Sequence, residues 1–236
     1  MNGVTLGEKH SYNDFGLILS KKVIEPPEPQ TKLVSVPLRD GSLDLTEAVT
    51  DDVKYKDRYI TLTFSVIDAM NMWSAKVSAI ENYLHGKRLR IVFDDDAAFY
   101  YVGRLAVNSW KSSKAIGTLV IEGVCEPYKY DVQSSAEDWL WDIFDFETGY
   151  IHEAKEIHVV KGTEIIIIGK RKRTYPIITA SMDMLVSYKG MHSIKAGVNK
   201  MYNIILDEGE NVLTFFSDGS APLDGTVTVE YTGGSL

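Results

Sequence analysis

The sequence predicts a mainly-β protein made of two domains. First, apolar and polar residues alternate along much of the 236-residue chain, as they do in strands with one buried face. Second, only residues 72–85 repeat apolar side chains at a spacing of three and four, which predicts a single helix. Third, a polar stretch at residues 131–137 separates two runs of strand patterns. We therefore expect domains at residues 1–130 and 131–236.

The first domain begins with a strand and an arm. An apolar run predicts the strand at residues 15–20, and regular structure is then interrupted by Pro26, Pro27 and Pro29, because proline lacks the amide donor that a sheet ladder needs. A second short strand follows at residues 32–36, and Asp40-Gly41 marks a turn. We interpret the two strands as an extended hairpin or arm, centred on residues 21–42.

A sheet with one covering helix completes the first domain. Residues 59–66 alternate almost perfectly, with one apolar face formed by Ile60, Leu62, Phe64 and Val66. The helix is predicted to begin after Asn71, a good N-cap, and to end before Gly86, a good residue for the position after a helix. Strand patterns return at residues 89–93, 105–107 and 119–121. An antiparallel sheet under one helix is the natural packing of these elements.

The second domain reads as a β-sandwich, because short strands follow one another between Gly, Asp and Ser turns. The clearest strands are Ile157–Val160, Glu164–Ile168, Tyr175–Ala180, Met184–Tyr188, Lys200–Leu206, Val212–Phe216 and Thr226–Tyr231. An aromatic and acidic segment precedes them at residues 139–150. We interpret its tryptophans and phenylalanines as packing at the domain seam, with a sugar-stacking platform as the alternative.

Composition narrows the possible functions. The formal net charge is −8, with 16 basic against 17 acidic residues in 1–130 and 9 against 16 in the remainder. Neither part has the basic excess that tight binding to nucleic acid requires. No stretch approaches the roughly 20 apolar residues of a membrane span, and the first residues lack the pattern of a signal peptide. The single cysteine, Cys125, lies in a strand pattern and is expected to be a small core residue of a protein made in the cytoplasm.

No local motif predicts a catalytic, cofactor-binding or metal-binding residue. Asp94-Asp-Asp96 lacks the spaced partners of a calcium loop, so a solvated turn is favoured over a hard-cation site. The basic run at residues 169–173 is interpreted as a solvated hairpin turn rather than a site that binds nucleic-acid phosphates. The histidines show no metal-ligand spacing, and the serines show no nucleophile elbow.

Several segments occur in an order that is informative as a whole. They are residues 36–46, 83–96, 99–109, 126–130, 141–149, 169–176, 211–215 and 228–231. Their order resembles the distal tail (Dit) proteins of long-tailed, non-contractile bacteriophages, and the resemblance covers nearly the whole chain. It implies a structural protein of the tail tip rather than an enzyme.

The resemblance also implies an architecture and a set of partners. We expect an N-terminal domain with a fold related to tail-tube proteins, carrying one helix and an extended hairpin arm, and a galectin-like C-terminal β-sandwich. Six copies are expected to form a ring at the tail tip of the virion, through which DNA passes without specific binding. The tube protein is the expected neighbour on one side and the tail-associated lysin or spike on the other, with a receptor-binding protein attached at the side.

The arm is our candidate for contact between copies of the chain. A proline-stiffened segment loses less conformational entropy when it docks, which favours a clasping contact. The predicted contact residues are Pro26, Pro27, Pro29, Arg39, Asp40 and Gly41. Two other classes of function stay open at this point: a carbohydrate-binding adhesion module in the C-terminal sandwich, and a hydrolase whose site is assembled from distant residues.

Overall fold

The computed structural model describes residues 3–67, 73–112, 116–132, 154–219 and 222–236, and the chain divides into two compact units. The first unit comprises Met1–Lys129 together with Leu236, and the second comprises Tyr130–Ser235. Strands dominate the described residues, so the prediction of a mainly-β fold is confirmed. The expected helix cap at Asn71 and the aromatic segment 139–150 lie outside the described residues.

The first unit is built on one large antiparallel sheet. Its strand order is β2-β1-β7-β8-β9-β6-β3. The elements of this unit are β1 (Val4–Leu6), β2 (Lys9–His10), β3 (Ile18–Ile24), β4 (Leu33–Ser35), β5 (Ser42–Asp44), β6 (Arg58–Ile67), α1 (Trp73–Leu84), β7 (Arg88–Phe93), β8 (Phe99–Ser112) and β9 (Ile116–Cys125). A 3₁₀ turn at Asp94–Asp96 joins β7 to β8.

The helix α1 packs on one face of this sheet, as the apolar spacing predicts. Val77, Ile80 and Leu84 are almost fully buried, and they share a core with Phe64 and Leu105 of the sheet. The helix ends as expected. Gly86 has a φ of 75°, a left-handed conformation that glycine adopts without a steric penalty.

The arm is a two-stranded ribbon that continues the β3–β6 pair beyond the sheet. Main-chain hydrogen bonds link residues 25–30 to residues 54–59, and the β4–β5 hairpin then forms the tip. The pairing differs from the sequence interpretation, because residues 15–20 and 32–36 do not pair with each other. Instead β3 pairs with β6 over Ile18–Ile24, and β4 pairs with β5 across the turn that contains Asp40-Gly41. Strand propensity is local, whereas the choice of a partner strand depends on the whole sheet.

The second unit contains two four-stranded sheets with orders β11-β18-β13-β16 and β12-β17-β14-β15. Both sheets bury alternate side chains in one shared core, as expected of a β-sandwich. β10 (Lys129–Asp131) begins at Lys129 of the first unit and continues into the second. The strands that follow it are β11 (Ile157–Val160), β12 (Thr163–Gly169), β13 (Ile177–Ala180), β14 (Met184–Ser187), β15 (Met191–Ile194), β16 (Gly197–Lys200), β17 (Gly209–Phe216), β18 (Asp224–Glu230) and β19 (Gly234–Ser235).

One predicted strand of the second unit is wrong. The sequence indicated a strand at Lys200–Leu206, but β16 ends at Lys200 and the chain then turns. The amide of Ile204 donates to the carbonyl of Met201, and residues 201, 204 and 206 are buried. Apolar residues at this uneven spacing fill the core from a turn, whereas a strand would bury every second residue.

Candidate functional site

The arm exposes apolar side chains at its tip and beyond. Leu33 is 59% exposed, Val49 is 92% exposed, and Leu38 in the hairpin turn is fully exposed. Single exposed leucines and valines are common on protein surfaces, but three of them on one projection make it a candidate contact surface. This exposure is the first structural feature that points to assembly.

The arm is fixed at its root. Tyr55 of the arm packs edge-to-face on the buried Tyr128, with 6.0 Å between ring centroids. The amine of Lys56 lies 2.9 Å from a carboxylate oxygen of Glu28 on the opposite side of the ribbon. The side chain of Asp52 is buried and lies 3.2 Å from the amine of Lys54. A fixed root with an exposed tip suits a projection that reaches another subunit.

The base of the tip hairpin is held by local polar contacts. The amide and the hydroxyl of Thr46 both donate to the carboxylate of Asp44, and these hydrogen bonds lower the pKa of that carboxyl. The Thr46 hydroxyl also accepts the amide of Lys32 at 3.0 Å. The hairpin therefore has a defined shape although most of its side chains face solvent.

The six predicted contact residues fall at two places along the arm. Pro26, Pro27 and Pro29 lie in the ribbon near the root, and Pro29 forms an isolated bridge with Tyr55. Arg39, Asp40 and Gly41 lie in the turn between β4 and β5, and all three are exposed. The structure therefore does not bring the six residues together as one cluster. Their role in contacts between copies stays a prediction.

A groove of about 540 Å³ lies on the sheet of the first unit. Across four neighbouring strands, the register places Tyr59 opposite Val124, Val124 opposite Arg104, and Arg104 opposite Arg88. We call these four residues the arginine row. Three of them line the groove, and Tyr59 at 56% exposure ends the row. No sequence pattern indicated this row, because its members are far apart in the chain and only strand register aligns them.

Both arginines of the row have partners within the first unit. The guanidinium of Arg88 forms an ion pair with Glu126, and that of Arg104 donates to the carbonyl of Gly86. The Arg88 side chain is nevertheless 58% exposed. Exposed ion pairs of this kind contribute little to stability, so the guanidinium group of Arg88 can exchange its partner at low cost.

The triple acid at Asp94–Asp96 forms three separate contacts. Asp94 accepts the amide of Gly3 at 2.7 Å and faces the ring of His10, whereas Asp95 pairs with Lys22 at 2.5 Å. The carboxylate of Asp96 lies 3.1 Å from the amine of Lys129. In the part of the chain that the structure describes, no group of three or more metal-binding side chains was found. Each of the three acids therefore has a partner within the first unit.

The basic run at residues 169–173 does not form the predicted hairpin turn. It connects β12 and β13, which belong to different sheets, and its charges face acids of the same unit. Lys170 lies 2.5 Å from Asp131, and Arg173 lies 2.9 Å from Asp207. Paired charges of this kind hold the connection between the sheets and leave little net charge for a phosphate ligand.

The thiol of Cys125 is buried, as the sequence predicted, and burial raises its pKa to about 12. The neighbouring Arg58 is also buried, donates to the carbonyl of Pro127, and lies 5.3 Å from the ring of Tyr101. Desolvation lowers the pKa of Arg58. A neutral, buried thiol does not act as a nucleophile, so this group is part of the core.

Comparison with known proteins found similarity in structure but not in sequence. No family model matches the chain, and no curated protein is recognisably similar in sequence. Among the described residues, no helix is long and apolar enough to cross a membrane. The chain is similar to the crystal structure of the SPP1 Dit (gp 19.1) protein, "a Paradigm of Hub Adsorption Apparatus in Gram-positive Infecting Phages". The TM-score is 0.65 at 10% sequence identity, over 98% of this chain and 99% of that chain. The predicted resemblance is thus confirmed for the fold: along nearly its whole length, this chain is folded like a phage Dit protein.

Proposed function

We propose that the protein is a structural component of a phage tail tip, in which six copies close into a ring. The observation that carries this proposal is the similarity to the SPP1 Dit protein over 98% of the chain. A likeness that includes both units in the same order is more specific than a likeness of one common domain, since single folds host many functions. The exposed apolar side chains of the arm also support a role in assembly.

The proposed mechanism is geometric. In a ring, each subunit buries one surface against a different surface of the next, and the contact closes because the rotation closes. The arm supplies the first surface, with Arg39, Asp40 and Gly41 at its tip and Pro26, Pro27 and Pro29 stiffening its root. A stiff arm loses less conformational entropy on docking.

The proposed partners follow from a place at the tail tip. One side of the ring meets the tail-tube protein, the other meets the tail-associated lysin or spike, and a receptor-binding protein attaches laterally. DNA passes through the opening without specific binding, since neither residues 1–130, with 16 basic against 17 acidic residues, nor the acidic remainder has the basic excess that holds phosphates. The galectin-like C-terminal domain is proposed to face outward as the platform for these partners.

Native mass spectrometry of the purified chain tests the ring. We expect a species of six times the 26.4 kDa chain mass. Replacing residues 33–44 by a two-residue Asn-Gly turn shortens the arm while keeping Lys32 and Leu45 paired, and should reduce this species to smaller ones. The matched control is Val198→Ser, which removes an apolar side chain that is 70% exposed on the second unit and should leave the ring unchanged.

Two results would contradict the proposal separately. A ring that persists after the arm is shortened refutes the role of the arm. A wild-type chain that stays monomeric over the accessible concentration range refutes the ring itself. Labelling of intact virions with antibodies to the chain should mark the tail tip, and marking elsewhere would refute the location.

A further inference from the structure

The arm and the body of the first unit carry opposite charge. Residues 25–57, which form the arm, contain eight acidic and four basic residues. The rest of the unit up to Lys129 contains nine acidic and twelve basic residues. The arm is therefore net negative by four charges, and the body is net positive by three. Oppositely charged surfaces on one chain attract when they come from two different copies.

The arginine row of the body is a suitable surface to receive the arm. Arg88 and Arg104 lie directly opposite each other on β7 and β8, so two guanidinium groups project from the same face of the sheet. Next to them the row exposes Val124 and Tyr59, which are 45% and 56% exposed. The lining of the groove also contains the acids Asp57 and Glu126, and Glu126 pairs with Arg88. A ligand that carries carboxylates beside leucines matches the two cations and two apolar side chains of the row once it displaces Glu126 from Arg88.

The tip of the arm carries exposed acids and leucines together with one exposed cation, Arg39. Asp40 and Glu47 are exposed acids near the β4–β5 hairpin, and Leu38 and Leu45 are exposed apolar residues of the same segment. None of the residues that line the groove belongs to the β4–β5 hairpin of the same chain, as far as the described residues show. The groove therefore stays open to a hairpin from elsewhere.

The arm is long enough to reach a neighbouring subunit. From Glu25 to Leu38 it runs for 14 residues, and an extended strand of that length spans about 45 Å. A compact domain of about 130 residues has a diameter of about 36 Å by the usual scaling of size with chain length. The tip can thus extend past its own body and contact the next one.

We propose that the arginine row of one copy binds the arm tip of the next copy, with Arg88 and Arg104 facing the acids of the hairpin. This inference rests on the proposed ring and names the surface that receives the arm. Carboxylates of the tip take over from the weak exposed pair that Arg88 makes with Glu126. The leucines of the tip cover Tyr59 and Val124. Because the charge pairs lie near solvent, added salt weakens the contact.

A charge exchange tests this contact in the full-length protein. The body variant carries Arg88→Glu and Arg104→Glu, and the arm variant carries Asp40→Lys and Glu47→Lys. Each variant should raise the concentration for half-assembly at least about tenfold, an effect on the order of 1.4 kcal/mol. A chain that carries all four changes should regain assembly. Mass photometry at low and high salt measures the oligomer.

Controls separate a lost contact from a lost fold. Lys21→Glu with Lys111→Glu makes the same charge change on other exposed strand positions of this unit and should leave assembly within about twofold of wild type. Arg88→Gln with Arg104→Gln removes the charges without placing a new acid beside Glu126. The circular-dichroism melting curve of each variant should match that of the wild type.

The outcomes separate the inference from the proposed function. Restored assembly in the four-change chain supports the inference. A ring that forms normally in the body variant, or that ignores salt, overturns the inference and leaves the proposed ring intact. A wild-type chain that never assembles overturns both.

Discussion

At the scale of single residues, Asn211 is a polar hub in the second unit. Its side chain is 1% exposed, and its oxygen accepts the hydroxyl of Tyr188 at 2.5 Å and the amide of Asp207 at 2.9 Å. Its nitrogen donates to the carbonyls of Ile167, Asp207 and Gly209. One buried amide therefore satisfies backbone groups of two strands and the loop before β17.

Replacing this amide should be costly. Asn211→Leu keeps the volume but leaves buried backbone groups without partners, so we expect a loss of about 3 kcal/mol in the free energy of unfolding. Urea denaturation followed by tryptophan fluorescence measures the change. Asn203→Ala is the control, since Asn203 is exposed and its side-chain nitrogen contacts the ring of His192. Equal stability of the two variants would contradict the role of the hub.

The buried thiol of Cys125 predicts that the first unit loses folding stability at alkaline pH. Its thiol ionises only near pH 12 in the folded chain, because burial disfavours the thiolate, whereas the ordinary value is near 9. The folded pKa is raised, so the contribution of the neutral thiol is complete below pH 9 and is lost as the pH rises from 9 towards 12. While the unfolded thiol is ionised and the folded one is not, the loss is about 1.4 kcal/mol per pH unit.

Two measurements check this prediction. A disulfide-forming thiol reagent at pH 8 should react with the native chain at least about 100-fold more slowly than with the urea-unfolded chain. The unfolding free energy of Cys125→Ala should fall less steeply than that of the wild type between pH 9 and 11. A rapid native reaction would show that the thiol is exposed.

At the scale of elements, the helix α1 shows how a sequence pattern becomes stability. Its buried stripe packs on a sheet whose residues alternate strictly, so both partners were readable from local spacing. Ile80→Ala removes three buried carbon atoms and should cost about 3 kcal/mol of unfolding free energy. Ser78→Ala, an exposed change on the same helix, should stay within about 0.5 kcal/mol. Thermal denaturation of both variants compares these costs, and similar losses would contradict the packing.

Elements were predictable from the sequence where one face is buried and the spacing is regular. Ile157–Val160 was predicted with its observed bounds, and the helix was predicted to within about one residue at each end. The strand at Lys200–Leu206 was wrong because its buried residues come from a turn. The hairpin at the basic run was wrong because neighbouring strands in the sequence belong to different sheets. Partner choice depends on contacts between distant residues, which local patterns do not contain.

At the scale of the whole molecule, the sequence predicted the arm but not the arginine row that is proposed to receive it. Prolines and an Asp-Gly turn indicated an arm, and the structure adds its fixed root and its exposed leucines. The arginine row was not predictable, because residues 59, 88, 104 and 124 come together only through the register of four strands. The fold of the whole chain was recognised from the order of many weak segments, which preserves a signal that no single segment carries.

The order of the strands also determines when each strand pair can form as the chain is synthesised. β1 pairs with the adjacent β2 as soon as His10 has been made, but it cannot pair with β7 until Phe93 has left the ribosome. In the second unit, β11 cannot pair with β18 until Val227 has been made. Apart from Leu236, the first unit can thus be complete while the ribosome is still translating the second. In the ring proposed above, nascent chains on one messenger would thus be able to join through their finished first units before any of them is released.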